Sequence, residues 1–181
     1  MALAQGRVIV AGPRGFCIDR AASQERSKAP SLVVLANCSA LGAGLFAPRP
    51  AASAILTATV SPTPGPGALD QAGPALGAYF GSDRGRAALS RAGDPGSVQV
   101  LDSTLEDGAF VMHLRDTAPF PGGAVDPDYW RAILDAGGRM VTVSVYTAPE
   151  RALSPEAGKA LLRDYVTSLR QATAKGLGSG G

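Results

Sequence analysis

Few side chains in this chain of 181 residues are of the kinds that carry chemistry: two cysteines, Cys17 and Cys38, a single histidine, His113, and a single tryptophan, Trp130. A pair of thiols can close a disulfide, cycle as a redox couple or hold a metal. A redox couple normally reads Cys-x-x-Cys, which is absent, and a zinc site needs more ligands than His113 can add. Two readings stay open, a structural disulfide between Cys17 and Cys38 and two buried free thiols. In an oxidising compartment such a bridge stabilises a fold by roughly 3 kcal/mol on a chain-entropy basis.

His113 lies in the run Phe110-Val111-Met112-His113-Leu114, alternates with Met112 and Leu114, and reads as an ordinary outward-facing strand residue. A small enzyme would have to pair it with a cysteine or a serine, and no Gly-x-Ser-x-Gly elbow is present. The carboxylates Glu106 and Asp107 belong to a turn, and Asp126 and Asp128 to a helix N-terminus. Neither set has the spacing of a calcium loop. Gly12-Pro13-Arg14-Gly15 lacks the Gly-Lys-Ser/Thr ending of a phosphate loop and reads as a tight turn. On this reading there is no catalytic residue, no metal and no cofactor. Trp130, on a short helix opposite the final strand, is expected in the core, and becomes the leading partner-binding residue if it is exposed.

The elements that must position these residues are mostly strands. Residues 7–11 and 16–18 flank the Gly-Pro-Arg-Gly turn, and residues 21–29 read as a loop or short helix. The nearly continuous apolar runs 31–38 and 54–60 suit central strands covered on both faces, the second stopping at Pro62. Residues 70–92 carry two helical pieces broken at Gly81, with Ser82 as a cap. Residues 97–102 and 109–114 form a hairpin through Glu106-Asp107-Gly108. Asp126-Pro127 caps a short helix bearing Tyr129, Trp130, Ile133 and Leu134, ended by Gly137-Gly138. Residues 139–147 alternate as a strand, and Ser154-Pro155-Glu156 opens a final helix with Leu161, Leu162, Tyr165, Val166 and Leu169 on one stripe.

This order predicts an α+β fold, a largely antiparallel sheet covered by helices in an α/β/α sandwich, rather than a doubly wound parallel sheet. One domain spans residues 7–174. Residues 1–6 are a signal-peptide remnant or disordered, and 175–181 a disordered Gly/Ser tail. With 23 glycines and 14 prolines beside 45% apolar residues, the chain is turn-rich yet has material for a core. A net charge of +2, with arginines scattered singly, does not point to nucleic acid. The 20 uncharged residues 29–48 are long enough to span a membrane, but Asn37, Cys38 and two glycines within them suit a strand and loop instead.

The segments around Tyr129-Trp130, Gly137-Gly138-Arg139-Met140-Val141-Thr142-Val143-Ser144-Val145 and Leu161-Leu162-Arg163-Asp164-Tyr165-Val166-Thr167-Ser168-Leu169 resemble the end of Mog1/PsbP-like domains. The resemblance covers about 50 residues of amphipathic pattern. It implies a non-enzymatic accessory or adaptor protein whose partner is another protein. The Arg, Ala, Gly and Pro bias is similar to that of small envelope proteins of GC-rich bacteria. Ala2-Leu3-Ala4 has the small-x-small form of a signal-peptidase site and a Cys17–Cys38 disulfide would need an oxidising compartment, so together they make the periplasm or cell envelope the expected location, with tethering to the membrane only through a lipid anchor upstream of Met1. The alternative is a cytosolic partner-binding protein of the same fold.

Overall fold

Two tight turns set the register of half the sheet. Asp107 and Gly108 take φ of 49° and 66°, and Gly137 and Gly138 take 59° and 71°, the left-handed pairs that a two-residue hairpin turn requires. The first joins Val98–Glu106 (β6) to Ala109–Asp116 (β7), and the second joins Asp128–Ala136 (β8) to Arg139–Tyr146 (β9). Ahead of them come Ala2–Leu3 (β1), Val8–Ile9 (β2), Phe16–Gln24 (β3), Ser31–Asn37 (β4) and Ile55–Pro64 (β5), then the helices Gly73–Gly81 (α1) and Asp83–Leu89 (α2). The helix Pro155–Gly178 (α3) closes the chain. The structure, a computed structural model, describes residues 1–43, 48, 50, 52–65, 67, 69, 72–120 and 125–178.

Seven strands form one antiparallel sheet in the order β3-β4-β5-β9-β8-β7-β6. The class is α+β, as the order of elements predicts. On the first face, α3 lays Leu162, Tyr165, Val166 and Leu169 onto Val33, Leu35, Leu56, Ala58, Val143 and their neighbours. Each such buried side chain is worth about 1.5–3 kcal/mol. On the second face, Phe80 of α1 and Leu89 of α2 pack with Phe110, Met112, Leu114, Tyr129, Ile133 and Tyr146. Ser82 accepts from Gly85 N at 3.2 Å and Ser154 from Ala157 N at 3.2 Å, so these two of the three predicted caps form, and that at Asp126 does not.

Several expectations need correction. Residues 128–136 are a strand, not a helix. Tyr129 and Ile133 join one core and Trp130, Ala132 and Leu134 the other, so apolar residues fall on both faces and imitate a helical stripe. Residues 16–24 do not return against 7–11; they pair with β4, and the strand takes in residues 21–24 of the stretch read as a loop or short helix, with a register shift between Asp19 and Gln24. β5 does not stop at Pro62. It reaches Pro64 through a register shift against β9 beyond Val60, and its pairing with β4 ends at Val60, so the prolines leave no donor missing from that ladder.

The first residues and the last turns of α3 are both held in place. β1 pairs with β2, and Leu3 is 1% exposed within the first core, so a cut after Ala4 would remove a core residue. α3 continues through the stretch expected as tail to Gly178. Its last turns hold the β1–β2 hairpin: Ile9 N donates to Thr173 Oγ1 at 3.1 Å, and a side chain at Gly176 would collide with Ile9 Cδ1 at 2.1 Å. Residues 179–181 lie outside the described residues.

Candidate functional site

The cysteines meet because of strand register. Cys17 stands opposite Ala36, and Cys38 N donates to Gly15 O at 2.9 Å, carrying the ladder two residues further. The sulfurs are bonded at 2.04 Å, with the Cα atoms 4.8 Å apart across a sequence separation of 21. No free cysteine remains among the described residues. With both sulfurs in the bridge, neither is a thiol that could pair with His113 in this arrangement. His113 is also five strands away on β7, about 24 Å at the usual strand spacing.

His113 and Trp130 are cross-strand partners whose rings stack with centroids 4.5 Å apart and planes 2° from parallel. Trp130 is 7% exposed and lies beneath the start of α3, where Lys159 Nζ stands 5.6 Å from the ring centroid. Its exposure as a partner-binding residue is thereby excluded, and its core role is kept on a strand instead of a helix. His113 is half-buried rather than turned fully outward. Beside it is a hollow of about 130 Å³ lined by Asp126, Asp128, Trp130, Thr147 and Pro155 among others.

The carboxylates in this hollow are already engaged. Asp126 Oδ1 accepts from Asp128 N at 2.8 Å, turning the chain into β8 rather than capping a helix. Asp128 accepts from Arg115 Nε at 2.6 Å and Nη2 at 2.9 Å. Those hydrogen bonds lower its pKa; burial opposes them, and the Arg115 and His113 charges act with them. No serine lines the hollow among the described residues. An imidazole beside committed carboxylates can bind a small polar group, but the arrangement supplies no activated nucleophile.

The remaining motif residues are structural. Glu106 ends β6 and pairs with Lys159 Nζ at 3.2 Å and with Arg163, tying the hairpin to α3. Gly15, at φ 90°, faces Pro50, whose N would lie 2.6 Å from an added Cβ, so Gly12-Pro13-Arg14-Gly15 is a packed turn.

The second face of the sheet is unequal. α1 and α2 lie against β6, and their core ends at Ile133 and Tyr146. Beyond it, register places Val34, Thr57 and Ser144 in one row and Leu32, Thr59 and Thr142 in the next. The same face carries Ile55, 39% exposed, and Met140, 41% exposed. From β4 to β9 these positions hold no charged side chain among the described residues. The sequence signal for this surface is the threonine alternation in β5 and β9, which reads equally as an ordinary solvated face.

No helix is long and apolar enough to cross a membrane among the described residues. In sequence and in fold the chain matches no family model, no curated protein and no solved structure.

Proposed function

We propose that this chain is a non-enzymatic accessory or adaptor protein of the periplasm or cell envelope, acting through a surface that docks another protein. The observation that carries this reading is the uncharged half-face formed by β4, β5 and β9, with Ile55 and Met140 exposed on it. Apolar and hydroxyl side chains in flat rows suit a partner protein with an equally uncharged contact surface, since a charged partner would lose hydration without gaining a counter-ion. The Cys17–Cys38 bridge supports an oxidising compartment. A Mog1/PsbP-like sandwich is the fold relationship that fits this role, with helices on both faces of an antiparallel sheet.

The test is site-specific photo-crosslinking in the producing cells, with probes at Ile55 and Met140 and controls at the exposed Leu101 and Leu177. One adduct of a defined protein, formed from the first two positions only and lost in a Thr57→Lys, Thr59→Lys variant, supports the reading. Equal labelling from all four positions, or none, overturns it. An unchanged phenotype for His113→Ala is expected; loss of a hydrolytic or transferase activity in that variant would favour an enzyme.

A further inference from the structure

α3 packs over β8, β9 and β2, and ion pairs tie its flank to the β6–β7 hairpin. Between that flank and the hairpin lies a cavity of about 280 Å³. Its floor is aliphatic, made by the buried side chains of Ala109, Val111, Leu162 and Val166. Its walls are polar, with Arg163, Thr167 and Arg170 from α3 and Glu106 and Asp107 from the hairpin.

Helix geometry sets the spacing of the three α3 groups. Arg163 and Thr167 are four residues apart and Thr167 and Arg170 three, so they form one stripe with neighbouring Cβ atoms about 5–6 Å apart. Arg170 is held in place by the turn, its Nη1 donating to Asp107 O at 2.6 Å and its Nη2 to Gly108 O at 3.0 Å. Both acceptors are neutral. The guanidinium is therefore fixed with no carboxylate bonded to it, and the rest of its five N–H donors are unused among the described residues. Thr167 is exposed, and its hydroxyl has no partner among the described residues. Glu106 is shared by Lys159 and Arg163, while Asp107 is exposed and makes no ion pair among the described residues. Lys159, Arg163 and Arg170 against Glu106 and Asp107 leave one positive charge at the cavity.

We propose that this cavity binds a small monocarboxylate with a compact aliphatic or aromatic body, the body on the aliphatic floor and the carboxylate on Arg170 and Thr167. Both donors line the same cavity as the floor, so a single ligand reaches all of them. Two neighbouring donors on one helix flank suit the two oxygens of a carboxylate. A monoanion cancels the remaining charge, and Asp107 repels a dianion. The volume is at the small end for ligand sites, which keeps the body compact. The cavity lies on the α3 side of the sheet, opposite the uncharged half-face, and its standing does not depend on the docking reading.

The test is titration calorimetry of the chain with benzoate and with isovalerate, with benzamide and chloride as controls at equal ionic strength. Saturable binding of at least one acid is expected, with benzamide and chloride inactive. Thr167→Val removes a donor at an exposed site with no change of shape, and is expected to weaken binding about tenfold. Arg170→Gln is expected to weaken it further; should that variant fail to fold, the others decide. Asp107→Asn keeps the turn, since asparagine accepts its φ of 49°, and is expected to tighten binding about threefold by removing a like charge. A merely structural turn would give no such gain. No saturable binding of either acid, equal binding of benzamide, unchanged affinity in Thr167→Val, or unchanged or weaker affinity in Asp107→Asn overturns the proposal.

Discussion

The imidazole of His113 lies flat on the indole of Trp130, 4.5 Å between centroids, and Gly158 of α3 stands against the Cδ1–Nε1 edge of that indole. A Cβ at Gly158 would stand 2.6 Å from Trp130 Cδ1. To admit it the indole must shift against its stack on His113. We therefore predict that Gly158→Ala destabilises the fold by about 1–3 kcal/mol, the usual cost of overpacking. Trp130 is the sole tryptophan, so its fluorescence during urea unfolding reports the change directly.

Removing the stacked ring tests the same relationship from the other side. His113→Ala keeps both strands paired and loses about 0.5–1.5 kcal/mol. A red-shifted Trp130 emission in the folded state is expected. An unshifted emission with unchanged stability would mean that the stack contributes nothing.

Leu3 belongs to the first core through a hairpin that α3 holds at Thr173 and Gly176. Leu3→Ala is expected to cost about 2–5 kcal/mol, as for a fully buried leucine. Thermal unfolding measures it; a loss no larger than that of an exposed-site substitution would show the hairpin to be dispensable.

We predict that the chain loses stability in acid. Burial raises the Glu106 carboxyl, but hydrogen bonds from Arg163 and Lys159 and their charges outweigh it, leaving the pKa below its ordinary 4.5. Arg115 likewise holds Asp128 below its ordinary 3.8. Folded values below unfolded ones give a contribution that is complete above the ordinary carboxylate range and is lost as pH falls through the folded values. Both partners are partly exposed, so added salt weakens the effect. Urea midpoints from about pH 7 down to about pH 3 are expected to fall, and to fall less in Glu106→Gln. An identical acid limb in that variant would remove Glu106 from the explanation.

What could be read from the residues was decided by how each strand is buried. β9 alternates Val141, Val143 and Val145 against polar neighbours, and α3 carries one apolar stripe, so both are legible. β8 is covered on both faces, its alternation vanishes, and Asp126-Pro127 adds a misleading helix signal. Gly176 reads as tail because a glycine that admits Ile9 is indistinguishable in sequence from one in a flexible end. Cys17 and Cys38 were legible as a candidate pair, whereas their contact depended on the β3–β4 register. Arg131 carried a signal, a lone charge inside the apolar run Tyr129 to Leu134, but its hydrogen-bond partners Ser144 and Tyr146 come from the next strand.

The bridge closes a separation of 21 residues. On the chain-entropy model its loss costs about 3 kcal/mol, so the Cys17→Ser, Cys38→Ser variant is expected to unfold at clearly lower urea, and the parent chain with reductant to match it.

The reading of this chain as an envelope protein rests most directly on the state of those two sulfurs in the cell. Free thiols are to be counted by alkylation under denaturing, non-reducing conditions in protein isolated from its native compartment. We predict none before reduction and two after it; two reactive thiols before reduction would contradict an oxidising location and place the same fold in the cytosol.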